Sequence, residues 1–563
     1  MPDLDICRQQ ILSEDYMDFI LSGRRGFWEQ IVQEGVCQIP LEYTFRIVTL
    51  AKEGTNSRAL YQYPYFSVPK CYTLLDMEAL EQAGVTQVQG LPGLELDGKG
   101  VLIGFIDTGI RYEDMVFRNL DGSTRILAIW DQTIQNGNSP ENFPYGSEYT
   151  REQIDEAIKS GFPQKIVPSQ DTNGHGTFIA SVACGSGNAE NQFLGAAPEA
   201  EIAVVKLKEA KQYLRNFYFI APDAPCYQET DIMAGIYYLR MLALRENKPL
   251  ILCIALGTNL GGHSGATPLA SYLEVLSSTS FTAIVVGGGN EADKRHHFLG
   301  KVQNNQEEEI EVSVGADVPG FVMEIWTEIP NVLSVTVISP TGDQSGVIPV
   351  RSGVESYDFI FEKTRLNVSY RLLAENTNSE LIFFQFEKPL TGIWRIRIEA
   401  VQVGDGSYHS WLPVDEFIDG EVFFLRSNPD YTITSPGDSV SNATVAYYNG
   451  ADNSVAVSSG RGYTRLERVK PDFAAPGIRV TGVNLRGQFS VRSGSSVAAG
   501  ITAGAAALLM EWLVRIGEIP DSMQIRNLLI LGATRADGRI YPNREWGYGT
   551  LNLYHTFEQI RRF

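Results

Sequence analysis

The alternation of short apolar runs with a helical pattern is the feature that most constrains how this chain can fold. Turn-and-strand patterns occupy residues 98–107, 195–207, 249–256 and 282–286, and residues 231–245 repeat with helical periodicity between two of them. A strand–helix–strand alternation of this kind predicts a parallel sheet with helices on its faces. Because ligands gather at the carboxyl ends of parallel strands, polar residues at those ends are the first candidates for a functional site.

Two candidate residues, Asp107 and His175, stand where such a sheet would present them. Asp107 ends the first apolar run, and His175 lies between Gly174 and Gly176 at the start of a small-residue helix. A single Asp before a Thr-Gly pair is an ordinary turn former, and a single His can belong to the core. The flanking glycines favour a functional histidine, because glycine permits the close approach of another part of the chain.

A third candidate, Ser496, opens the most apolar helical run of the chain. It follows Gly494 and precedes small and apolar residues that continue to Met510, which predicts a tight loop leading into a buried helix. The N–H groups and the dipole at the helix start would stabilise an anion beside Ser496, although a serine there is also an ordinary N-cap. Asn290 follows three glycines and is either a turn residue or an amide donor to that anion.

The composition excludes several classes of function. The formal charge is −21 and the sequence pI is about 4.8, which argues against a nucleic-acid partner or an anionic membrane surface. The first residues have neither the basic nor the apolar character of a secretory signal. No uninterrupted apolar run reaches the roughly 20 residues that span a bilayer. We therefore expect an intracellular protein with no signal peptide and no membrane span.

The cysteines and the paired histidines do not form a metal motif. The cysteines lack CxxC and CxxH spacing, so free thiols are expected and a metal site is not. His296 and His297 have no third ligand nearby, which makes a polar loop the better interpretation. We predict no cofactor and no metal. The six cysteines are Cys7, Cys37, Cys71, Cys184, Cys226 and Cys253.

Two regions depart from the strand–helix alternation. Residues 301–427 contain short aromatic and β-branched runs separated by turns, which predicts an inserted antiparallel β-sandwich of the jelly-roll kind. Residues 1–77 are mixed, with a helical pattern at 15–20 and a strand pattern at 41–50, and form a small α+β segment that is either a prosegment or a structural extension. The predicted division is therefore 1–77, 78–300, 301–427 and 428–563, in which the second and fourth parts form one α/β domain.

The chain order Asp107, His175, Ser496 resembles that of the subtilisin-like serine proteases. The resemblance implies that helices cover both faces of the parallel sheet, that His175 is a general base oriented by Asp107, and that Ser496 is the nucleophile. It also implies an oxyanion hole made by the Asn290 side chain and the Ser496 N–H. The motifs are Ile106-Asp107-Thr-Gly, His175-Gly-Thr, Gly289-Asn290 and Gly494-Ser495-Ser496-Val-Ala-Ala. The implied substrate cleft is lined by Ala255, Leu256, Gly257, Gly287, Gly288 and Gly289.

Within this family, the chain resembles the Csp germination proteases of clostridial spores. The resemblance rests on the N-terminal segment, the β insert and the runs at 289–297 and 408–413. It implies a prosegment that the enzyme cuts and keeps in its cleft, a spore-associated location, and a zymogen of a spore-cortex hydrolase as substrate. Alignment with mature subtilisins places the cut near Met77. Ser495 and Gly500 replace the usual Thr and Pro, and neither change removes a catalytic atom.

Three functional hypotheses follow. The first is a serine endopeptidase that acts on a protein or peptide substrate and processes its own prosegment. The alternative is a catalytically silent scaffold or sensor that binds a protein or small-molecule partner, because a retained prosegment can block the cleft of an intact triad. A metal-dependent hydrolase is the third and least favoured hypothesis, because the acidic and histidine residues lack the spacing of metal ligands.

Overall fold

Among its described residues, the N-terminal segment (1–77) has a three-stranded antiparallel sheet and one further strand. The computed structural model describes residues 4–22, 36–42, 44–52, 57–74, 83–89, 94–304 and 306–561. The sheet has the order β1-β3-β2, and β3 overlaps the predicted strand at 41–50. The segment comprises α1 (Leu4–Leu12), β1 (Tyr16–Leu21), β2 (Cys37–Pro40), β3 (Arg46–Ala51) and β4 (Cys71–Leu74).

Two predictions for this segment are wrong. The sequence pattern predicts a helix at 15–20, but β1 runs along this stretch and pairs with β3, because five of its six residues are buried and no polar helix face remains. The cysteine spacing predicts free thiols throughout, but Cys7 and Cys37 form a disulfide. The bond joins α1 to β2, and the two cysteines come together because these elements pack against one another in the folded segment. The predicted cut near Met77 lies outside the described residues.

The α/β domain begins with alternating strands and helices. The strands of this part are β5 (Leu102–Asp107), β6 (Ile126–Asp131), β7 (Ser147–Thr150), β8 (Glu201–Lys206), β9 (Tyr227–Gln228), β10 (Leu250–Ile254), β11 (Leu256–Gly257) and β12 (Thr282–Gly287). The helices are α2 (Val85–Gln89), α3 (Arg151–Lys159), α4 (Pro163–Ile166), α5 (His175–Cys184), α6 (Gln212–Tyr218), α7 (Glu229–Arg245) and α8 (Pro268–Leu276).

Antiparallel strands between His297 and Phe424 form the insert. A six-stranded and a four-stranded sheet share one apolar core, so the predicted antiparallel β-sandwich is present. The strands are β13 (His297–Lys301), β14 (Glu307–Val314), β15 (Gly320–Glu328), β16 (Val332–Ile338), β17 (Gly353–Phe359), β18 (Thr364–Arg371), β19 (Ser379–Glu387), β20 (Gly392–Gln402), β21 (Ser407–Trp411) and β22 (Val422–Phe424). The sheet orders are β13-β21-β15-β19-β18-β17 and β16-β20-β14-β22.

The rest of the chain completes the α/β domain. Its strands are β23 (Ala443–Asn449), β24 (Ser454–Val455), β25 (Phe473–Pro476), β26 (Val480–Val483) and β27 (Phe489–Arg492), and its helices are α9 (Ser495–Arg515), α10 (Ser522–Gly532) and α11 (Leu553–Ile560). The central sheet has the order β24-β23-β12-β10-β5-β8-β6-β7, with β25 beside β23, and its inner strands are parallel.

Helices cover both faces of this sheet, as predicted. Side chains alternate along β5, so Ile103 and Phe105 pack in one core with α5 and α9, while Leu102 and Ile106 pack in the other with α7 and α8. Each inner strand is therefore buried on both sides, which explains its continuous apolar run. The carboxyl ends of β5, β10 and β12 meet at one edge, and α5 and α9 begin at that same edge.

Helix α9 is the central helix of this domain. Among the described residues, it is the one helix long and apolar enough to cross a membrane by length and composition, and 89% of its apolar window is buried inside the protein. Its small residues allow α5 to approach, since a Cβ at Gly504 would lie 2.6 Å from the carbonyl oxygen of Ala183. This close packing fixes the start of α9 relative to the start of α5.

Candidate active site

Three side chains that are distant in the sequence meet at the carboxyl edge of the sheet. The Nδ1 of His175 lies 2.8 Å from both carboxylate oxygens of Asp107, and its Nε2 lies 2.9 Å from the Oγ of Ser496. Each of the three residues is at most 3% exposed. The imidazole therefore has an acceptor on one side and a hydroxyl on the other, in the order that serine activation requires.

Two glycines allow this convergence. A Cβ at Gly176 would lie 2.2 Å from the carbonyl oxygen of Gly109, so only glycine lets α5 start against the end of β5. Gly494, just before α9, has φ of 137°, which an L side chain rarely adopts. The glycines that drew attention to these motifs in the sequence are thus required by the backbone at both helix starts.

Asp171, which no sequence motif singled out, holds the turn that carries His175. Its carboxylate accepts hydrogen bonds from the N–H groups of Gly174 and Thr177, at 2.7 and 3.0 Å, and from the hydroxyl of Thr108, at 2.9 Å. The Thr108 N–H in turn donates to Oδ1 of Asp107, at 2.7 Å. An Asp just before a helix start is a usual capping signal and could have indicated this role.

The serine and the asparagine are held by the loop before α9. The Ser495 N–H donates to Oδ1 of Asn290 at 3.1 Å, so the oxygen of this amide is already engaged and Nδ2 is its donor end. The Ser495 hydroxyl accepts from the N–H of Gly289 at 3.2 Å, so serine provides this contact in place of the usual threonine. The Oγ of Ser496 also lies 3.4 Å from the carbonyl oxygen of Ala255.

Strand β4 of the N-terminal segment lies in the predicted cleft. Leu74 pairs with Leu256 and Thr73 with Gly257, and on its other side β4 pairs with β9. All these pairings are antiparallel, so β4 enters the cleft as an added strand between two edges. The family resemblance implied a prosegment in the cleft, but neither it nor the sequence pattern indicated which strand of the N-terminal segment would lie there.

Three of the predicted cleft residues, Gly287, Gly288 and Gly289, lie outside the pairing of β4 with β11. Gly287 ends β12, Gly288 donates its N–H to Val445, and Gly289 contacts the serine loop as described, so these three do not pair with β4. In sequence they lead directly to Asn290, so their place in the substrate cleft stays a prediction. The register of β4 on β11 explains why they do not pair with β4, because the described strand ends at residue 74.

The paired histidines, His296 and His297, contact polar side chains of the protein itself. His296 Nδ1 lies 3.0 Å from Oε2 of Glu291, and His297 Nε2 lies 3.0 Å from Nδ1 of His409. Burial lowers the pKa of His297 to about 3, so this imidazole is neutral. Within the part of the chain that the structure describes, no group of three or more His, Cys, Asp or Glu side chains could hold a metal ion.

A buried ion pair holds the N-terminal sheet on the α/β domain. The Nζ of Lys211 lies 2.9 Å from Asp18 in β1, which also accepts from Thr49, at 2.8 Å, and from Gln228, at 2.9 Å. Burial alone would raise the pKa of Asp18, but the charges of Lys211 and Lys208 outweigh it and keep the pKa below its usual value. Asp18 is therefore a charged, hydrogen-bonded anchor.

The N-terminal segment also shares an apolar core with both other parts of the protein. This core joins the segment, α6 of the α/β domain and the six-stranded sheet of the insert. The rings of Phe217 and Phe383 stack with centroids 5.7 Å apart, and Tyr61 packs edge-on against Phe217. Its aromatic members are Phe19, Tyr61, Phe66, Tyr213, Phe217, Tyr218, Trp326, Phe383, Trp411, Phe417 and Tyr431.

Comparison with known proteins agrees with this geometry. The subtilase family model matches residues 98–549 of the chain. The solved CspB protease of Clostridium perfringens superposes with a TM-score of 0.75 at 30% identity, over 85% of this chain and 98% of that one.

Curated relatives match over shorter stretches. The membrane-bound transcription factor site-1 protease of mouse is 32% identical over 138 residues, which are 23% of this chain and 13% of the mouse protein. The subtilisin-like protease SBT2.2 of Arabidopsis thaliana is 32% identical over 145 residues, which are 21% of this chain and 17% of that protein. The chain thus spans only a small part of the length of the curated relatives it matches.

Proposed function

Because this chain belongs to the subtilase family of subtilisin-like serine endopeptidases, we propose that it cuts peptide bonds, its own prosegment first, and keeps that prosegment in the cleft. The observation that carries the proposal is the placement of β4. A strand of the N-terminal segment leads along β11 toward a hydroxyl that hydrogen-bonds a histidine–aspartate pair. A substrate strand is expected to enter a protease cleft in this manner.

The chemistry starts with proton transfer from Ser496 to His175. The 2.9 Å contact between Oγ and Nε2 lets the imidazole accept the proton as Oγ attacks the carbonyl carbon. Asp107, bonded to Nδ1, keeps the proton of the neutral ring on Nδ1 and stabilises the imidazolium that forms. The imidazolium then protonates the leaving amine, and water attacks the acyl-enzyme with His175 again acting as base.

The oxyanion of the tetrahedral intermediate would be stabilised at the start of α9. Asn290 would donate from Nδ2, because its Oδ1 already accepts from the Ser495 N–H. Ser496 lies in the first helical turn, where the N–H groups have no acceptor within the helix. Two donors from different segments then surround the charge that develops in the transition state.

The register of β4 identifies the bond that we propose is cut. Leu74 pairs with Leu256, and the next residue back along that edge is Ala255, whose carbonyl oxygen lies 3.4 Å from Ser496 Oγ. We propose that the same antiparallel register continues by one position, which would bring residue 75 opposite Ala255. We therefore propose cleavage between Leu75 and Asp76, two residues before the position that sequence alignment suggests.

The finer assignments remain proposals that rest on the likeness to CspB. We propose that the insert has a jelly-roll topology and stabilises the bound prosegment, which the shared core supports. We also propose that the physiological substrate is the zymogen of a spore-cortex hydrolase and that the protein is intracellular and spore-associated. Incubation with such a zymogen, and antibody detection in spore fractions, test these two points separately.

The intact mass of the purified protein tests self-cleavage. We expect wild type to give two chains, with masses that place the cut after Leu75, and Ser496→Ala to stay whole. A fluorophosphonate should label Ser496 in wild type and leave Ser496→Ala unlabelled. If both proteins stay uncut and unlabelled, the enzyme proposal fails.

The alternative is a catalytically silent scaffold that uses the same fold to hold a partner. The observation that favours it is the burial of the triad beneath an occupied cleft, since Ser496 is 0% exposed. Turnover of an unstructured protein by wild type, lost in His175→Ala, would eliminate the scaffold. Self-cleavage without any turnover of a second protein would leave a single-turnover enzyme that then serves as a scaffold.

A further inference from the structure

We infer that the cleft selects its substrate by a tyrosine hydroxyl at the position of Tyr72, and that Glu229 recognises this hydroxyl. The inference rests on the proposed function and adds the substrate feature that the cleft requires. Tyr72 lies in β4, three residues before Leu75, and is 0% exposed. Its ring packs in the same apolar core as Leu256, the residue that pairs with the substrate strand.

The pocket around Tyr72 ends in polar groups. The Tyr72 hydroxyl donates to Oε1 of Glu229 at 3.4 Å, and it also hydrogen-bonds the side chains of Thr267 and Ser435. These two hydroxyls lie 2.9 Å from each other. Burial raises the pKa of Tyr72 well above its usual value, so the phenol keeps its proton and remains a donor. Three segments of the α/β domain thus converge on one phenol oxygen.

Glu229 binds the main chain of the same strand as well. Its Oε2 accepts from the N–H of Lys70 at 2.9 Å, and its own N–H donates to the Lys70 carbonyl oxygen at 2.9 Å. Glu229 is fully buried at the start of α7, and a Leu269 N–H also donates to Oε1. One carboxylate therefore fixes both the register of the strand and the side chain two residues further on.

Phenylalanine at position 72 would fill the pocket without the donor. The ring would exclude water, so part of the hydrogen-bonding capacity of Glu229, Thr267 and Ser435 would stay unmatched in a buried place. Sites built around a substrate hydroxyl discriminate strongly against the analogue that lacks it, whereas purely apolar pockets discriminate weakly. The substrate class is therefore polypeptides that present, in an extended segment, a tyrosine three residues before the residue whose carbonyl is attacked.

The test compares self-cleavage rates at a pH where the rate still rises with pH, so that chemistry and not folding is limiting. We expect Tyr72→Phe to cut at the same bond about ten- to a hundredfold more slowly, and to melt at a lower temperature because the unmatched buried groups also cost folding free energy. The matched control is Tyr61→Phe, which removes another buried prosegment hydroxyl that donates to Gln385 of the insert, at 2.9 Å, outside the cleft. This control should cut at the wild-type rate.

Repeating the Tyr72→Phe substitution in the Glu229→Gln variant shows whether Glu229 is the hydrogen-bond partner of Tyr72. In Glu229→Gln, the further change Tyr72→Phe should cost several-fold less than it does in wild type, which is the coupling expected of residues in contact. Equal rates for Tyr72→Phe and wild type, equal slowing in the Tyr61→Phe control, or no coupling to Glu229 would overturn the inference. Absence of cleavage in wild type, or cleavage in Ser496→Ala, would instead overturn the proposed function.

Discussion

The nine-stranded sheet of the α/β domain and the insert use buried polar residues differently. In the parallel sheet they stand at strand ends, where Asp107 accepts hydrogen bonds from both Thr108 and His175. In the insert, Glu380 stands within a strand, where Oε2 accepts from the Leu333 N–H at 2.9 Å and Oε1 has no partner among the described residues. At the edge of the parallel sheet, both oxygens of Asp107 thus have partners, whereas Glu380, within a strand of the sandwich, keeps one carboxylate oxygen unpaired in the part of the core that the structure describes.

The largest effect is expected from Asp107→Asn. Asparagine keeps the shape but favours the wrong tautomer of His175, and we expect self-cleavage to slow about 10⁴-fold. Rates from intact mass measure this loss. The control Asp114→Asn changes a carboxyl that caps the short helix at Met115–Phe117 and should leave the rate nearly unchanged. An equal rate for Asp107→Asn and wild type would remove Asp107 from the mechanism and end the contrast with Glu380.

The next largest effect is expected from Asp18→Asn, which breaks the ion pair between the N-terminal segment and Lys211. Loss of one partner of a buried pair costs about 3–5 kcal/mol. After self-cleavage we expect the prosegment to dissociate, which native mass spectrometry or gel filtration detects, whereas wild type keeps it. Asp15→Asn makes the same charge change at an exposed site and serves as control. Retention by Asp18→Asn would show that the shared apolar core alone holds the segment.

A smaller effect is expected from Asn290→Ala. Removal of one oxyanion donor slowed subtilisin, the archetype of this family, by about 10²–10³-fold, and we expect a similar loss of self-cleavage rate here. Labelling by a fluorophosphonate should slow in parallel, because that reaction develops a similar charge. The matched control is Asn259→Ala, which removes a hydrogen bond to Glu291 beside the hole and should cost less. Equal rates for the two variants would argue against Asn290 as an oxyanion donor.

The smallest effect is expected from Glu380→Gln, and it concerns stability. Burial raises the pKa of Glu380 to about 8, so its contribution to stability is full below the unfolded value near 4.5 and is lost as pH rises toward 8. Glutamine removes this dependence. We expect Glu380→Gln to melt a few degrees higher than wild type at pH 8.5 and equally at pH 4.5. The same difference at both pH values would contradict a buried, protonated Glu380.

Much of the α/β domain could be predicted because its determinants are local. Continuous apolar runs indicate strands buried on both faces, and the glycines beside His175 and Ser496 are required by the backbone at those two helix starts. The three catalytic candidates were therefore identifiable as a set, and the structure brings them together. Asn290 was identifiable as well, although its orientation depends on a hydrogen bond from Ser495 that no local pattern specifies.

The rest depended on contacts between distant segments. Strand β1 has a helical pattern in sequence, but tertiary pairing with β3 decides its structure. The disulfide of Cys7 and Cys37 arises from packing of α1 beside β2, which spacing alone does not reveal. The placement of β4 between β9 and β11 joins residues more than a hundred positions apart, so the occupant of the cleft could not be deduced from composition.

The aromatic core shared by three parts of the protein has a consequence for biosynthesis. Phe383 is synthesised roughly 360 residues after Phe19, although both side chains belong to the same core. At about 5–20 residues per second, the ribosome needs on the order of 20–70 s to synthesise the chain between these two residues. Throughout this interval the nascent N-terminal sheet has no docking partner in the insert, so chaperones that bind emerging apolar chains should be required for a good yield of this protein.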